Sequence, residues 1–422
     1  MLLLSIAGAA ALHTPTLTLP GTGDKMPAIG YGTWLSKRGE VYEGTKAALS
    51  SGYRHVDEAW VYMNEAEVGK AVSEALADGT LSSREELFVT SKLWNNFHRP
   101  ELVREGALES LEKLGLDSLD LYLIHFPVSF TPGTVEASSA DQVETVPLDA
   151  TWQAMEKLVD EGLVKNIGVS NFEIDDLKVV QAVASKPIAC NQFETHPYYQ
   201  RTELIEYCRE HEIIVTAHSS MGGAANAMAS FHASPPLAQD ATIGEIARKH
   251  DTTPQAVLLA WGLTRPTAII PKSVTPERIQ ANLDDVLALT LDDTDLAAIA
   301  KLDKPGLEGC YCHPKTCAQA LARRSQSTLT KAKSSHSDRS PSCLSQSLAR
   351  QIGVYWKHGP LLWMNYDRVS GRGARVTPTR PYQVRPAATT HRILASSDGC
   401  VDRRARDGDT ATIRYCRYEV SL

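Results

Sequence analysis

The chain has 422 residues, of which 43% are hydrophobic and 22% charged, and its net charge at neutral pH is −7. This composition is sufficient for a packed core, and the negative balance is atypical of a nucleic-acid-binding protein. The sequence has no uninterrupted apolar run of about 18 residues, so it predicts no helix that crosses a membrane.

Charge and cysteine content divide the chain. Residues 313–422 contain 19 Lys and Arg against 7 Asp and Glu, whereas residues 1–312 contain 24 against 43. Cys190 and Cys208 are the only cysteines before residue 300, and six more follow from Cys310 onward. Few thiols in so large a body predict a protein of a reducing compartment. We therefore predict an apolar extension over 1–14, a folded body over 15–312 and a basic, disordered tail over 313–422.

The two ends leave alternatives open. The start, MLLLSIAGAAAL, has the apolar character of a short targeting segment but lacks the basic residues with which such a segment usually opens. A cytoplasmic location is therefore preferred. The basic residues of the tail form neither a dense block nor an amphipathic stripe. An extension without function is therefore favoured over a docking arm, with segments 334–347 and 371–386 disordered.

Short runs rich in Val, Ile, Leu, Phe and Tyr alternate with amphipathic segments across the body. The predicted strands are 28–33, 53–59, 87–93, 119–126, 166–170, 188–193, 213–217 and 268–271. The predicted helices are 40–51, 65–77, 101–114, 151–161, 174–183, 202–211, 242–249, 254–263 and 276–283. Eight such repeats predict an α/β protein whose parallel sheet closes into a (β/α)8 TIM barrel. An open doubly wound sheet is the alternative, but the G-x-G-x-x-G turn typical of it is missing from the sequence.

Four ionisable side chains fall at or just beyond predicted strand ends, where barrel enzymes carry their chemistry. They are Asp57, Tyr62, Lys92 and His125. A buried Lys or Asp needs a partner, and neighbouring strands would pair Asp57 with Lys92. A nearby ammonium would lower the pKa of Tyr62 and help it to donate a proton. Each residue alone has an ordinary structural explanation, but together they predict a proton-donor site.

Six segments of the body stand out, in this order: GYRHVDEAWVYMNEAEVG (52–69), FVTSKLW (88–94), LDLYLIHFP (119–127), GVSNF (168–172), CNQFETHPY (190–198) and IIPKSVTPERIQANL (269–283). Together these segments resemble the aldo-keto reductases. Residues 17–34 are similar to the hairpin that plugs the barrel and to its first strand. The resemblance, to the aldose, aldehyde and xylose reductases in particular, covers residues 17–305. It implies reduction of aldehydes or ketones, sugars among them, by NADPH.

The resemblance also implies roles for single residues. Tyr62 would be the general acid, Lys92 and Asp57 would tune it, and His125 would orient the carbonyl. Ser170, Asn171 and Gln192 match residues that hold the nicotinamide carboxamide, and His218 takes the place of the ring stacked under it. The other implied cofactor contacts are Thr33, Trp34, Ser219, Met221, Lys272, Ser273, Arg278 and Asn282. Independently, Lys272 and Ser273 after the last strand, with Arg278 on the next helix, predict an anion site.

The sequence departs from the family at four positions. His218 stands where Tyr is usual, Phe126 where Trp commonly follows the histidine, and Ala281 where an acidic residue often contacts adenine. Glu58 replaces a small residue beside Asp57, and strand alternation should turn it away from the site. These departures bear on cofactor affinity and substrate range.

Substrate contacts are predicted at Trp34, Trp94, His125 and Phe126. The rings of Trp34, Trp94 and Phe126 would form an apolar wall, with 128–148 as a specificity loop. The cysteine-rich CYCHPKTC (310–317) is interpreted as free thiols because its spacing is short for zinc, so no metal is expected. We expect a monomer that acts on a small carbonyl compound. The alternatives are a cofactor-binding regulatory protein on the same barrel, with slow turnover, and a sugar-phosphate isomerase.

Overall fold

The structure is a computed structural model that describes residues 14–222, 236–304, 306 and 309–310, together with three short strands nearer the C-terminus. The apolar start (1–13), the cysteine motif beyond Cys310 and the segments 334–347 and 371–386 lie outside the described residues. A boundary between Met364 and Asn365 separates two units, which are described one at a time.

Strands and helices alternate through the first unit, as the sequence predicts. The strands are β1 (Thr16–Thr18), β2 (Lys25–Pro27), β3 (Tyr31–Gly32), β4 (His55–Asp57), β5 (Phe88–Leu93), β6 (Leu119–Ile124), β7 (Ser129–Phe130), β8 (Val143–Glu144), β9 (Val164–Ser170), β10 (Cys190–Glu194), β11 (Ile214–His218) and β12 (Thr267–Ile269). The helices are α1 (Glu40–Ser50), α2 (Glu65–Ala77), α3 (Pro100–Leu114), α4 (Leu148–Asp160), α5 (Ile174–Gln181), α6 (Thr202–Glu210), α7 (Ala241–Lys249), α8 (Pro254–Thr264), α9 (Pro276–Ala288) and α10 (Asp293–Ala300).

Eight of these strands form one parallel sheet in the order β3, β4, β5, β6, β9, β10, β11, β12. The two edges of this sheet meet through a parallel bridge between Ile29 and Ile269. Its hydrogen bonds run from Gly30 N–H to the Ile269 oxygen and from Ile269 N–H to the Ala28 oxygen, both at 2.8 Å. The sheet is therefore closed, and the predicted (β/α)8 barrel is confirmed.

The antiparallel pair β1–β2 closes the end of the barrel where the strands begin. Its Leu19 and Met26 are buried in one cluster with Phe88 and Leu121 from the interior of the sheet. Polar contacts fix the same hairpin, because Thr22 donates to the Asn166 side-chain oxygen at 2.8 Å. The N-terminal hairpin thus plugs the bottom of the barrel, and the site must lie at the opposite, C-terminal end.

Local sequence explains the two ends of α3 and one close approach of strands. Helix α3 begins with Pro100 in its first turn and ends at Gly115, whose φ of +65° favours glycine. A Cβ at Gly168 would lie 2.4 Å from the Cys190 oxygen, so only glycine allows β9 and β10 to approach here.

The sequence did not predict α10 or the small β7–β8 pair, and α9 runs five residues beyond its predicted end at 283.

The second unit contains strands β13 (Leu394–Ala395), β14 (Cys400–Arg403) and β15 (Ile413–Cys416), which pair antiparallel in that order. The sequence did not predict these strands. Across the described parts of both units, none of the helices has the length and apolarity needed to cross a bilayer.

Candidate active site

The four side chains predicted to carry chemistry lie together at the C-terminal end of the barrel. Asp57 is the last residue of β4, and Lys92 lies near the end of the neighbouring strand β5. Tyr62 belongs to the short turn Trp60–Tyr62 that follows β4, and His125 comes directly after β6. Parallel strands end at one rim of a barrel, and the structure brings all four residues to that rim.

Lys92 and Asp57 form a fully buried ion pair, with 2.6 Å between Nζ and Oδ1. The ammonium also donates to the Glu58 backbone oxygen at 2.8 Å and to the Tyr62 hydroxyl oxygen at 3.4 Å. The second Asp57 oxygen accepts from Gln192 Nε2 at 2.7 Å. Burial works against the charged form of Lys92, but Asp57 and Tyr62 outweigh it and hold the pKa of Lys92 above its ordinary value.

The pKa of Tyr62 is not shifted toward neutrality by Lys92, contrary to the prediction from the sequence. Burial raises the pKa of Tyr62 to about 12, and the opposing effect of the Lys92 ammonium is smaller. The phenol is therefore protonated at neutral pH. Because Lys92 donates to the Tyr62 oxygen, the phenolic hydrogen is free to bond another acceptor.

His125 is held among aromatic rings. It stacks on Phe126 at 4.9 Å between ring centroids and meets Trp94 edge to face at 5.0 Å and Tyr62 at 5.8 Å. Burial, with the Lys92 charge nearby, places the pKa of His125 well below its ordinary value, so the ring is neutral. Its Nδ1 is buried and has no hydrogen-bond partner among the described residues.

The three residues matched to carboxamide binding adjoin this cluster. Asn171 Nδ2 donates to the His125 backbone oxygen at 3.0 Å and to the Ser170 hydroxyl at 3.1 Å. Ser170 in turn donates to the Gln192 backbone oxygen at 2.8 Å. His218, at the end of β11, contacts the other side of Asn171, with 3.1 Å between Nε2 and Oδ1. The ends of β9, β10 and β11 are thus connected by hydrogen bonds to Asp57 through Gln192 and to His125 through Asn171.

Trp94 and Phe126, two of the three residues predicted to form an apolar wall, contact the ring of His125. The Trp94 ring is edge to face with Phe126 at 5.9 Å and with Phe130 at 6.1 Å. Its indole N–H donates to the Val135 backbone oxygen at 2.7 Å, which ties loop 128–148 to the wall. The indole N–H of Trp94 is therefore already used by the protein.

The strand that precedes α1 brings two further predicted residues to the rim. The Thr33 hydroxyl donates to the Asp57 backbone oxygen at 2.9 Å, and Trp34, the next residue, is half-buried. Ser219 and Met221 follow β11 at the same end of the barrel, and residues 223–235 of that loop lie outside the described part.

The predicted anion site lies where β12 leads into α9. Arg278 is exposed in the first turn of α9, and its guanidinium has no ion pair or hydrogen bond with the described residues. Lys272 Nζ contacts the Leu35 oxygen at 3.3 Å, and partial burial lowers its pKa. Two cationic side chains and the Ser273 hydroxyl therefore lie within seven residues of one another along the chain, and groups of this kind bind phosphate. The half-buried Asn282 lies on the same helix.

Sequence reasoning missed the burial of Glu58. Its side chain is fully buried, and neither carboxyl oxygen has a hydrogen bond of normal geometry with a described residue. Burial, reinforced by the Glu65 carboxyl, raises the pKa of Glu58 well above its ordinary value. Alternation along β4 was the only available signal, and it indicates a face of the strand but not what covers that face.

The contact between Cys310 and Glu194 could not be predicted from the sequence either. Cys310 Sγ donates to Glu194 Oε2 at 2.9 Å, and Glu194 also pairs with His196 at 2.9 Å. Glu194 is the last residue of β10, so this bond holds the segment after α10 against the barrel rim. Within the described ranges, no group of three or more His, Cys, Asp or Glu side chains could hold a metal ion.

Fold and site together define an oxidoreductase on a (β/α)8 barrel. The sequence profile of the Aldo/keto reductase family matches residues 28–304, and the chain belongs to this family. It is 44% identical over 287 residues to an aldo/keto reductase of Synechocystis sp., covering 67% of this chain and 87% of the relative. It is 40% identical over 293 residues to the prostaglandin-E(2) 9-reductase of Oryctolagus cuniculus, covering 67% and 90%.

A solved structure gives the same result. The aldose reductase from Schistosoma japonicum is 38% identical, covers 69% of this chain and 95% of its own, and aligns with a TM-score of 0.63. Membership of the family implies reduction of small carbonyl compounds with NAD(P)H.

Proposed function

We propose that this protein reduces aldehydes and ketones to alcohols with NADPH, and that Tyr62 is the general acid. The observation that carries this proposal is the contact of Tyr62 with the buried Lys92–Asp57 pair, next to the neutral imidazole of His125. A proton donor, a cation that stabilises its conjugate base and a second hydrogen-bond donor lie together at one rim of the barrel.

NADPH would supply the hydride. As the carbonyl oxygen gains negative charge, Tyr62 donates its phenolic proton to that oxygen. Lys92 stabilises the phenolate that remains, and Asp57 keeps Lys92 charged inside the barrel. A neutral His125 can donate one N–H to the carbonyl, which fixes the angle at which the substrate meets Tyr62. Each side chain is held by packing or by hydrogen bonds before substrate arrives.

The anion site supports NADPH over NADH. The two cofactors differ by a 2′-phosphate, and Arg278 and Lys272 are the cationic groups at this site that could bind it. We assign the carboxamide to Ser170, Asn171 and Gln192. Thr33, Trp34, Ser219, Met221, Ser273 and Asn282 are assigned as further cofactor contacts.

The pocket wall favours carbon-rich substrates. Trp94 and Phe126 present aromatic surface next to His125, while the Trp94 N–H is already bonded to Val135. Phe126 has no polar atom at the position where the family commonly carries Trp. This wall therefore offers little to the hydroxyl groups of a sugar, and we assign aromatic and longer aliphatic aldehydes as the preferred substrates.

The test is NADPH oxidation with a panel of aromatic aldehydes, aliphatic aldehydes and pentoses. Tyr62→Phe should lower kcat by about 10²–10⁴-fold, because it removes the proton donor. The dissociation constant for NADPH should stay nearly unchanged. A Tyr62→Phe variant that keeps more than a tenth of wild-type kcat would refute the acid role. Tight NADPH binding without turnover of any substrate would support the regulatory alternative instead.

A further inference from the structure

Both ring nitrogens of His218 make hydrogen bonds. The resemblance places this ring under the nicotinamide, and stacking alone would not require those bonds. Its Nε2 lies 3.1 Å from Asn171 Oδ1, and its Nδ1 lies 3.1 Å from the Ser219 hydroxyl. Asn171 is 8% exposed, and its amide nitrogen bonds the backbone oxygen of His125. A continuous path of hydrogen bonds therefore runs from His218 to the carbonyl-orienting residue of the proposed mechanism.

The donors and acceptors in this path are fixed by chemistry. A backbone carbonyl can only accept, so the Asn171 atom facing His125 must be the NH2 group. The Asn171 oxygen therefore faces His218, and Nε2 must carry a hydrogen. In a neutral ring Nδ1 is then an acceptor, and the Ser219 hydroxyl donates to it. Burial lowers the pKa of His218 to about 4, so this neutral tautomer is the form present at neutral pH.

We infer that His218 is a positioning residue for catalysis, because its Nε2–H holds the Asn171 amide in the orientation that anchors the His125 backbone. The inference rests on the proposed reaction, in which His125 orients the carbonyl. Without the Nε2–H donor, the buried Asn171 oxygen has no partner among the described residues and the amide can turn. The backbone oxygen of His125 then loses its hydrogen bond from Asn171. As a result, the His125 ring orients the substrate carbonyl less well.

A stacking role and a positioning role make opposite predictions for two substitutions. His218→Phe keeps a flat ring but removes both nitrogens. His218→Gln removes the ring, yet its amide nitrogen can reach nearly the place of Nε2 and donate to Asn171. The positioning role therefore expects Gln to rescue activity and Phe to fail. A ring that serves only for stacking would give the reverse order.

The first measurement is steady-state kinetics of the full-length protein with NADPH and the best aldehyde of the panel. We expect His218→Phe to lower kcat about tenfold or more and His218→Gln to stay within about threefold of wild type. The same two substitutions at His211, which is exposed at the end of α6, are matched controls and should change nothing. If Phe equals wild type and Gln loses activity, the inference is wrong. Absence of turnover in wild type would instead count against the proposed function.

The second measurement needs neither cofactor nor turnover. In protein labelled with ¹⁵N-histidine, NMR spectra distinguish a ring nitrogen that carries a hydrogen from one that does not. The His218 signals, identified by their loss in His218→Gln, should show Nε2 protonated and Nδ1 unprotonated at neutral pH. A ring protonated at Nδ1 instead would contradict the hydrogen-bond path and overturn the inference.

Discussion

Replacing Arg278 tests the choice of cofactor, because its guanidinium has no other task among the described residues. It is exposed on the first turn of α9 and forms no ion pair there, so Arg278→Ala should cost no native interaction. We propose that Arg278 binds the 2′-phosphate, which NADPH has and NADH lacks. The variant should therefore weaken one cofactor selectively and leave the melting temperature unchanged.

The expected magnitude follows from the exposure of the site. A charge-assisted hydrogen bond contributes about 1.5–3 kcal/mol, which corresponds to about a 10–150-fold change in affinity. Because solvent and salt screen an exposed site, we expect the lower end of that range at physiological ionic strength. Arg278→Lys should recover only part of the loss, since an ammonium cannot bond two phosphate oxygens in one plane.

The assay is fluorescence titration of both cofactors at low and high salt. NADPH should lose affinity in Arg278→Ala, NADH should change little, and added salt should narrow the difference between them. Arg209→Ala is a suitable control, because Arg209 is also exposed but lies on α6, away from α9, where it pairs with Glu206 of the same helix. Equal losses for both cofactors would show that Arg278 holds the fold or the pyrophosphate, and the assignment of the 2′-phosphate would be refuted.

Two shorter predictions concern the tail and the pocket wall. Deletion from His313 onward keeps Cys310 and its bond to Glu194, so we expect a folded and active enzyme. Insolubility or loss of cofactor binding would show that the tail contributes to the body. Trp94→Phe removes the bond to Val135, so it should raise KM for aromatic aldehydes several-fold while the NADPH dissociation constant stays unchanged. An unchanged KM would mean that loop 128–148 does not shape the pocket.

The barrel and the position of its site could be predicted because both depend on short-range patterns. Alternating strands and helices define the sheet, and parallel strands bring Asp57, Lys92 and His125 to one rim whatever the details of packing. The bond between Cys310 and Glu194 joins residues 116 positions apart, and no local pattern carries that information. The sequence therefore indicated where the chemistry lies but not how the segment after α10 is fastened.

The electrostatics of the site was harder to predict than its geometry. The proximity of Lys92 to Tyr62 correctly indicated the direction in which the ammonium alone acts on the tyrosine pKa, which is downward. Burial acts in the opposite direction and is larger, and its size depends on atoms from several elements. The same reason applies to Glu58, whose neighbours in sequence do not reveal that both carboxyl oxygens are buried without a hydrogen bond of normal geometry to a described residue.

Glu58 gives the last prediction, which concerns stability. The pKa of its carboxyl is raised well above the ordinary value in the folded protein, mainly by burial. The folded state therefore keeps its proton at pH values where the unfolded chain has released it. The resulting stability is fully present below pH about 4.5 and is lost as pH rises toward the folded-state pKa, at about 1.4 kcal/mol per pH unit.

Glu58→Gln removes this titration and keeps the size of the side chain. Relative to wild type, Glu58→Gln should therefore become more stable as pH rises from 5 to 7, by at most about 1.4 kcal/mol per pH unit. Urea unfolding of both proteins at several pH values measures this difference, and Glu245→Gln on the exposed face of α7 controls for the substitution itself. A difference that stays constant between pH 5 and pH 7 would mean that Glu58 is ionised in the folded protein. In that case a cationic or donor group must reach its carboxylate, and the charge balance around Lys92 would include a second buried anion.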